Sequence, residues 1–330
     1  MLINNNQGAA SAADPAFVLG LSVTGLATLR ALHRAAIPAW GFGADRDEPG
    51  RHCRHANCID APDPEADGAG LLACLLQHAP QGSRPVLIPA GDGQLRFLSR
   101  YRAQLADRFA FALPPNEMAE AMVDKRRQHL LATAHGMPCP TTLFLDGEMA
   151  TSDLLDQVVF PAFLKPVHSH LWRAHFHSKG MLVSGPDDLA RALARIAPRG
   201  LAVMLQQIIT GPATNHYEVC AYMGRDGTPL AVFTTQKIRQ WPVDFGIGSL
   251  LQSVRMPDLE RLTLDFLTAI DYRGAAAIEF KKDARSGAFL MIEVNGRLWS
   301  DYILAADCGL NVPAIAYRDL TGAAAQARAD

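Results

Sequence analysis

The apolar run Phe17-Val18-Leu19 ends at Gly20 and passes through Leu21-Ser22-Val23-Thr24-Gly25 into a helical pattern reaching about Ala36. Ile37-Pro38-Ala39-Trp40-Gly41-Phe42-Gly43 is apolar again, so the order strand, glycine turn, helix, strand predicts a βαβ opening. The turn has Gly20 and Gly25 but no Gly-Lys-Ser/Thr and no full dinucleotide fingerprint, which leaves a tight turn beneath a ligand edge. Residues 71–78 read as a helix, Pro85-Val86-Leu87-Ile88-Pro89 as a buried strand and residues 92–105 as another helix. Together these describe a small doubly wound α/β domain ending near Pro114-Pro115.

The texture then changes. Residues 116–135 are helical, with Asn116 as the expected cap, and Gly136-Met137-Pro138-Cys139-Pro140 stops them. Strands follow at 141–145, 162–167, 181–184 and 202–208, with a helix over 186–196. Residues 217–223 and 230–236 read as a hairpin across Gly224-Arg225-Asp226-Gly227, and 250–255 as a strand. A helix at 257–270 precedes two further strands, and helices from about Ser300 and Val312 close the chain. Clustered strands with few intervening helices predict an α+β second part.

The last two strands carry the chemistry. Glu279 sits in Ala-Ala-Ile-Glu-Phe and Glu293 in Met-Ile-Glu-Val-Asn-Gly-Arg, joined by the turn-like Asp283-Ala284-Arg285-Ser286-Gly287. Side chains alternate along a strand, so Glu293 and Asn295 share a face with Arg297 next on it. Two carboxylates and an amide make a hard oxygen-donor set for Mg2+ beside a cation suited to phosphate. Exposed acids on a solvent face are the alternative, but Ile278, Phe280, Met291, Ile292 and Val294 leave little room for one.

Lys165, in Phe163-Leu164-Lys165-Pro166, ends an apolar strand, where an ammonium needs either an anion or a route to the edge. Residues 168–179 are long, cationic and rich in donors, and Lys179 lies in the part that fits a flap over polyphosphate. Their histidines lack the spacing of a metal site. Leu205-Gln206-Gln207-Ile208-Ile209-Thr210-Gly211 ends a strand in a manner suited to a base-binding hinge, or is a strand running into a turn. Lys237 and Arg239 fall on one strand face, and Phe245-Gly246-Ile247-Gly248-Ser249 reads as a flexible loop. Trp172 and Trp241 either wall a pocket or pack.

Length and composition narrow the field. The chain has 330 residues, 49% of them hydrophobic and 19% charged, enough for two domains or one large α/β domain with a real core. A net charge of −2 gives no global field toward nucleic acid or anionic lipid, and no apolar run approaches a membrane span. Residues to about Asp14 read as a loose tail without the regions of a signal peptide. Six cysteines in no compact spacing predict reduced thiols and a cytoplasmic location. His52-Cys53-Arg54-His55-Ala56-Asn57-Cys58 has zinc-ligand residue types at no standard spacing, and reads as a strand approach with a buried Cys58.

Taken in order, Asp124-Lys125, Gly-Met-Pro-Cys-Pro, Leu-Lys165-Pro, Gln-Gln-Ile-Ile-Thr-Gly, Lys-Ile-Arg and Glu279 with Glu293-Val-Asn-Gly-Arg297 resemble the ATP-grasp enzymes. The likeness is to the carboxylate–amine ligase branch that includes D-aspartate ligases, and it covers nearly the whole chain. It implies a pre-ATP-grasp domain over residues 1–115. An ATP-grasp domain of two α+β subdomains would then occupy 116–330, divided at 205/206. Carried over by position, Lys125, Lys165 and Lys179 would hold ATP phosphates. Gln206 would line the adenine through its side chain, and Gln207 and Ile209 through their backbones. Glu279, Glu293 and Asn295 would ligate Mg2+, or Mn2+ in its place, and Arg297 would steady the transferred phosphoryl group with Lys237 or Arg239. Gly20, Asp92 and Arg239 would face the acceptor. The chain departs from the pattern at Gln207, where an acid is common, and at Glu218, which comes late for a ribose contact. It also runs only a little past Leu320-Thr321-Gly322, so a substrate-shaping appendage is expected to be missing.

The resemblance implies ADP-forming ligation. Phosphorylation converts a carboxylate, whose own leaving group is poor, into an acyl phosphate that an amine displaces. The expected partners are a small carboxylate, such as an amino acid, and an amine, with no nucleic acid and no membrane. A homodimer is an expectation of the resemblance alone. The rival classes are a nucleotide-binding regulatory protein without turnover and a phosphotransferase that leaves phosphate on its product.

Overall fold

The computed structural model describes residues 13–145, 158–168, 171–172, 174–243 and 246–323. The expected tail up to residue 12 and, in the flap and loop, Ser169, His170, Arg173 and Phe245 lie outside the described residues. The described residues form two compact units, one from residues 13–112 with 300–323 and the other from residues within 113–299.

In the first unit, Ala16–Leu19 (β1), Val23–Arg34 (α1), Ala39–Gly43 (β2), Asn57–Asp60 (β3), Gly68–His78 (α2), Val86–Pro89 (β4), Asp92–Arg100 (α3) and Arg102–Ala106 (α4) follow in order. The strands are parallel in the order β3-β2-β1-β4. Helices covering a parallel sheet bury its inner strands throughout, and Ala16 to Leu19 are at most 1% exposed. The helix expected over 92–105 breaks at Tyr101, whose φ of −101° and ψ of 18° leave the helical range as its ring packs on Phe97. Cys58, expected buried, is half-buried, its thiol directed at Gly50 O. The C-terminal helices Tyr302–Asp307 and Val312–Thr321 return to this unit. Tyr302 hydrogen-bonds Thr28, Asn311 donates to Ala31 O at 2.7 Å and Tyr317 donates to Asp14 O.

The second unit begins with Asn116–Ala121 (α5) and Lys125–Ala134 (α6). The single helix expected over 116–135 is therefore two. Pro115 takes the cap position expected of Asn116, while Asp124 caps α6 by accepting from the N–H groups of Arg126 and Arg127. Next come Thr142–Leu145 (β5), Ala162–Pro166 (β6), Met181–Val183 (β7), Pro186–Ile196 (α7) and Val203–Gln207 (β8). These strands form an antiparallel sheet in the order β5-β8-β6-β7. One face of it carries Ala162, Leu164, Val203 and Leu205 into a core with Leu189 and Ile196 of α7 and with Trp172 and Phe176. Trp172 thus packs, and it pins the lysine-bearing segment that follows β6.

A second antiparallel sheet is built from His216–Met223 (β9), Pro229–Trp241 (β10), Ile247–Val254 (β11), Gly274–Lys282 (β12) and Phe289–Asn295 (β13), with Pro257–Ala269 (α8) between β11 and β12. Its order is β11-β10-β9-β12-β13. The loop expected over 245–249 is strand from Ile247 onward, because β10 extends to Trp241 and offers β11 a longer partner. Among the described residues no helix is long and apolar enough to cross a membrane.

Candidate functional site

Strand register lines up the acids. Glu218 on β9 stands opposite Glu279 on β12, and Glu279 stands opposite Glu293 on β13. The carboxylates form one row across three neighbouring strands, flanked on β10 by Thr235, the partner of Glu218. One rung away, Asn295 is paired with Ala277 and its amide donates to Glu279 Oε1 at 3.4 Å. On the opposite side of the row His216 is paired with Lys281, and Lys237 follows two residues after Thr235 on the same face. An acid rung therefore lies between an amide and a basic rung. Among the described residues no group of three or more His, Cys, Asp or Glu is gathered closely enough to hold a metal ion. Glu279, Glu293 and Asn295 form a smaller set of two carboxylates and one amide oxygen, which fits the hard-oxygen preference of Mg2+.

Like charges side by side on a sheet repel, so the row needs cations. Lys125 Nζ lies 2.5 Å from Glu293 Oε1. Its place follows from the split helix: Asp124 caps α6, and Lys125 is the first helical residue. Burial alone would raise the pKa of Glu293, but Lys125, Lys165 and Lys179 outweigh it and hold the carboxyl well below its usual range.

Lys165 points away from the core face occupied by Leu164 and is 7% exposed. Its ammonium approaches Ile292 O at 3.5 Å, where the β12–β13 pairing shifts between Glu279 and Phe280 and Ile292 becomes an extra residue in β13. Burial first, and Lys125 second, bring its pKa down to about 8 against the opposite pull of Glu293 and Glu279. The same lysine lowers the pKa of His129 further after burial, and only partly offsets the burial that raises Cys139 to about 11.

Lys179 reaches Gly246 O at 3.5 Å; burial of its ammonium lowers its pKa, with Glu279 opposing. His216 is depressed to about 3 by burial and by Lys237, Lys281 and Lys179, so it is neutral, and its buried Nδ1 has no hydrogen-bond partner among the described residues. A neutral ring with an unused polar atom beside three lysines suits a ligand with both anionic and hydroxyl groups.

The segment expected to form a hinge leaves β8 of the β5-β8-β6-β7 sheet. Thr142, Phe144, Phe163, Lys165, Met204 and Gln206 alternate with the core-facing residues and share the other face. Gln206 is buried there and donates to Thr142 Oγ1 at 3.0 Å. Gln207 is exposed and its N–H is taken by Thr141 O, whereas Ile209 is buried. Asp283, in the β12–β13 turn, clamps the hinge. Its Oδ1 accepts from Thr210 N at 3.0 Å and Thr210 Oγ1 at 2.5 Å, and its Oδ2 from Ser286 N and Oγ.

The bonds from Thr210 and Ser286 hold the Asp283 carboxyl far below its ordinary range. Their stabilisation is present above the unfolded carboxylate pKa and is lost as acid protonates the folded group. Asp283→Ala should lower Tm near neutral pH, and the gap from the parent should close on acidification, as read by calorimetry across pH.

Other candidates are spread out. Arg239 is exposed, and a register shift between Lys237 and Arg239 interrupts the alternation that would put both on one face. Arg297 donates to Leu298 O at 3.1 Å and lies near enough to Tyr272 to oppose the rise that burial gives that phenol. The neighbouring Gly296 permits a close approach, since a Cβ there would come within 2.7 Å of Met122 Cβ. In the first unit Gly20 (φ +87°) follows β1 and Asp92 opens α3 after β4, at the carboxyl end of two adjacent parallel strands. Glu48 lies close to the turn after β1, and burial raises the pKa of its carboxyl against the lowering influence of the Leu21 and Ser22 backbone.

No family model matches the chain. D-aspartate ligase of Enterococcus faecium (strain Aus0004) is 23% identical over 287 residues, 82% of this chain and 68% of that protein. N5-carboxyaminoimidazole ribonucleotide synthetase from Thermus thermophilus superposes with a TM-score of 0.69 at 18% identity, covering 94% of this chain and 79% of that one. L-amino acid ligase from Bacillus licheniformis superposes with a TM-score of 0.68 at 14% identity, covering 93% and 74%. The chain has the ATP-grasp fold. Within this fold the β5-β8-β6-β7 sheet carries Lys165 and the strand that runs into residues 208–211, and the β11-β10-β9-β12-β13 sheet carries the acid row.

His216 was not a candidate from sequence, and Glu218 was one only through resemblance. The signal was present in His-Tyr-Glu-Val, where polar residues at alternate positions share one face of an otherwise apolar strand.

Proposed function

We propose that the protein is an ATP-dependent, ADP-forming carboxylate–amine ligase acting through an acyl phosphate on a small carboxylate of the amino-acid class. The observation that carries this reading is the acid row Glu218–Glu279–Glu293 with Lys125 and Lys165 against it. The likeness to a D-aspartate ligase supports an amino acid as one substrate. In this reading Glu279, Glu293 and Asn295 hold Mg2+, or Mn2+, which supplies charge neutralisation between ATP phosphates. Lys125, Lys165, Lys179 and Lys237 bind and orient the phosphates, and the buried Lys165 acts at low dielectric, where a cation is worth more than in water. Gln206 and the backbone of Gln207 and Ile209 take the adenine, and Glu218 or His216 the ribose side. Arg297 attends the transferred phosphoryl group, with Arg239 farther out. Gly20 and Asp92 belong to the acceptor side. The working location is the cytoplasm, as a soluble enzyme or homodimer.

The test is an ADP-release screen over paired amino acids and amines, with inorganic phosphate and product mass measured in the same samples. Ligation releases ADP and phosphate in equal amounts and yields an amide heavier than either substrate. Phosphate retained in an organic product would mean a phosphotransferase. MgATP binding with no ADP formed from any pair would mean a protein without turnover.

A further inference from the structure

Gln128 has none of the row's charged groups among its hydrogen-bond partners, yet three hydrogen bonds to backbone atoms fix it beside them. It is 4% exposed and lies one turn beyond Lys125 on α6. Its Nε2 donates to Val294 O at 2.7 Å and to Met122 O, and its Oε1 accepts from Val294 N at 3.1 Å. β13 is the outer strand of its sheet, so the N–H and C=O of Val294 on the open side have no further strand to meet. The primary amide of Gln128 supplies the donor and acceptor that such a strand would have offered. The rest of that edge is covered in like manner. Met291 N donates to Pro138 O at 2.7 Å, just beyond α6, and Ile292 O faces the Lys165 ammonium.

Val294 follows Glu293, and Gln128 lies three residues after Lys125. The Gln128–Val294 pair therefore runs beside the Lys125–Glu293 ion pair, one step along both elements. We infer that Gln128 is a positioning residue. By pairing its side-chain amide with the backbone of Val294, it holds α6 on the edge of β13 in the register that sets Lys125 against Glu293. Glutamine is suited to this, because its amide carries a donor and an acceptor with the reach of two methylenes. Glutamate keeps the shape but turns an acceptor toward two carbonyls. Methionine keeps the length and leaves all three backbone groups unpaired.

The inference rests on the nucleotide reading only for one of its two probes. The first probe is MgADP titrated into the parent, Gln128→Glu, Gln128→Met, Lys125→Ala and the two double variants. If Gln128 acts through Lys125, each Gln128 variant weakens MgADP by about tenfold, and by less than about twofold once Lys125 is alanine. A merely structural role would give the same loss in both backgrounds. The second probe needs no nucleotide: reductive methylation of Lys125 in the unliganded protein, followed by mass spectrometry. The rate should rise about fivefold or more in either Gln128 variant, as Lys125 leaves its partner. Losses that add across the cycle, or an unchanged methylation rate in a folded variant, overturn the inference. Should the parent bind no MgADP, the nucleotide reading falls and the methylation rates alone decide the role of Gln128. If one variant fails to fold by circular dichroism, the other carries both measurements.

Discussion

Glu293→Gln should reduce ADP formation by on the order of 100- to 1,000-fold, ~3–4 kcal/mol in the barrier, while MgADP binding changes far less. Glu293 is the acid most enclosed by cations, with Lys125 at 2.5 Å and Lys165 and Lys179 acting on it. Glutamine removes one carboxylate from a donor set in which only two are close to Asn295, so metal placement suffers. It also frees Lys125 from its counter-charge, which leaves more positive potential for phosphate. The split between turnover and binding is the diagnostic result. Turnover is read by ADP release under saturating substrates, binding by calorimetric titration, and equal losses in both would mean a role in folding instead.

Affinity for MgADP should fall as pH rises through about 8, and Lys165 is the cause. An ordinary lysine holds its proton to beyond pH ~10, but burial, then Lys125, outweigh the pull of Glu293 and Glu279 here. Above the shifted value, a nucleotide that needs the ammonium must bind together with a proton, and affinity drops by ~10-fold per pH unit. Stability moves the other way. Between about 8 and the usual lysine range the unfolded chain holds more protons than the folded one, so linkage predicts a rise in stability with pH in that window. Lys165→Met should bind MgADP weakly at every pH and lose the slope. Titrations from pH ~6.5 to ~9.5 test both statements. Cys139, nearby, is pushed up to about 11 and titrates outside that range.

Much of this site could be read from residue order, because it is written in strand alternation. Glu293 and Asn295 share a face by spacing alone, and Phe163-Leu164-Lys165-Pro166 already places a lysine opposite a core leucine. Cross-strand register was not legible, since the pairing of Glu218 with Glu279 depends on β9 lying between β10 and β12. The extra residue near Ile238 escaped notice for the same reason: a bulge is set by the partner strand. Asp124 falls inside the stretch that reads as one helix over 116–135, yet it ends the approach from α5 and starts α6, because a side chain can cap a helix that periodicity reads as continuous. Gln128 gave no signal at all. All its partners are backbone atoms, two of them 166 positions away in the chain, and backbone atoms leave no trace in composition.

The turn after β12 carries a further consequence. Asp283 fastens it to the hinge, and the strands on either side present Glu279 and Glu293 to each other. Because a strand repeats every two residues, a single-residue insertion within β13, between Phe289 and Glu293, would carry Ile292 into the position of Glu293 and turn the carboxylate to the other face unless a further bulge absorbed it. Residues added between Asp283 and Phe289 would instead lengthen the turn and leave that pairing in place. The spacing that matters to the chemistry is therefore the one inside the strand, from Phe289 to Glu293, and not the length of the turn.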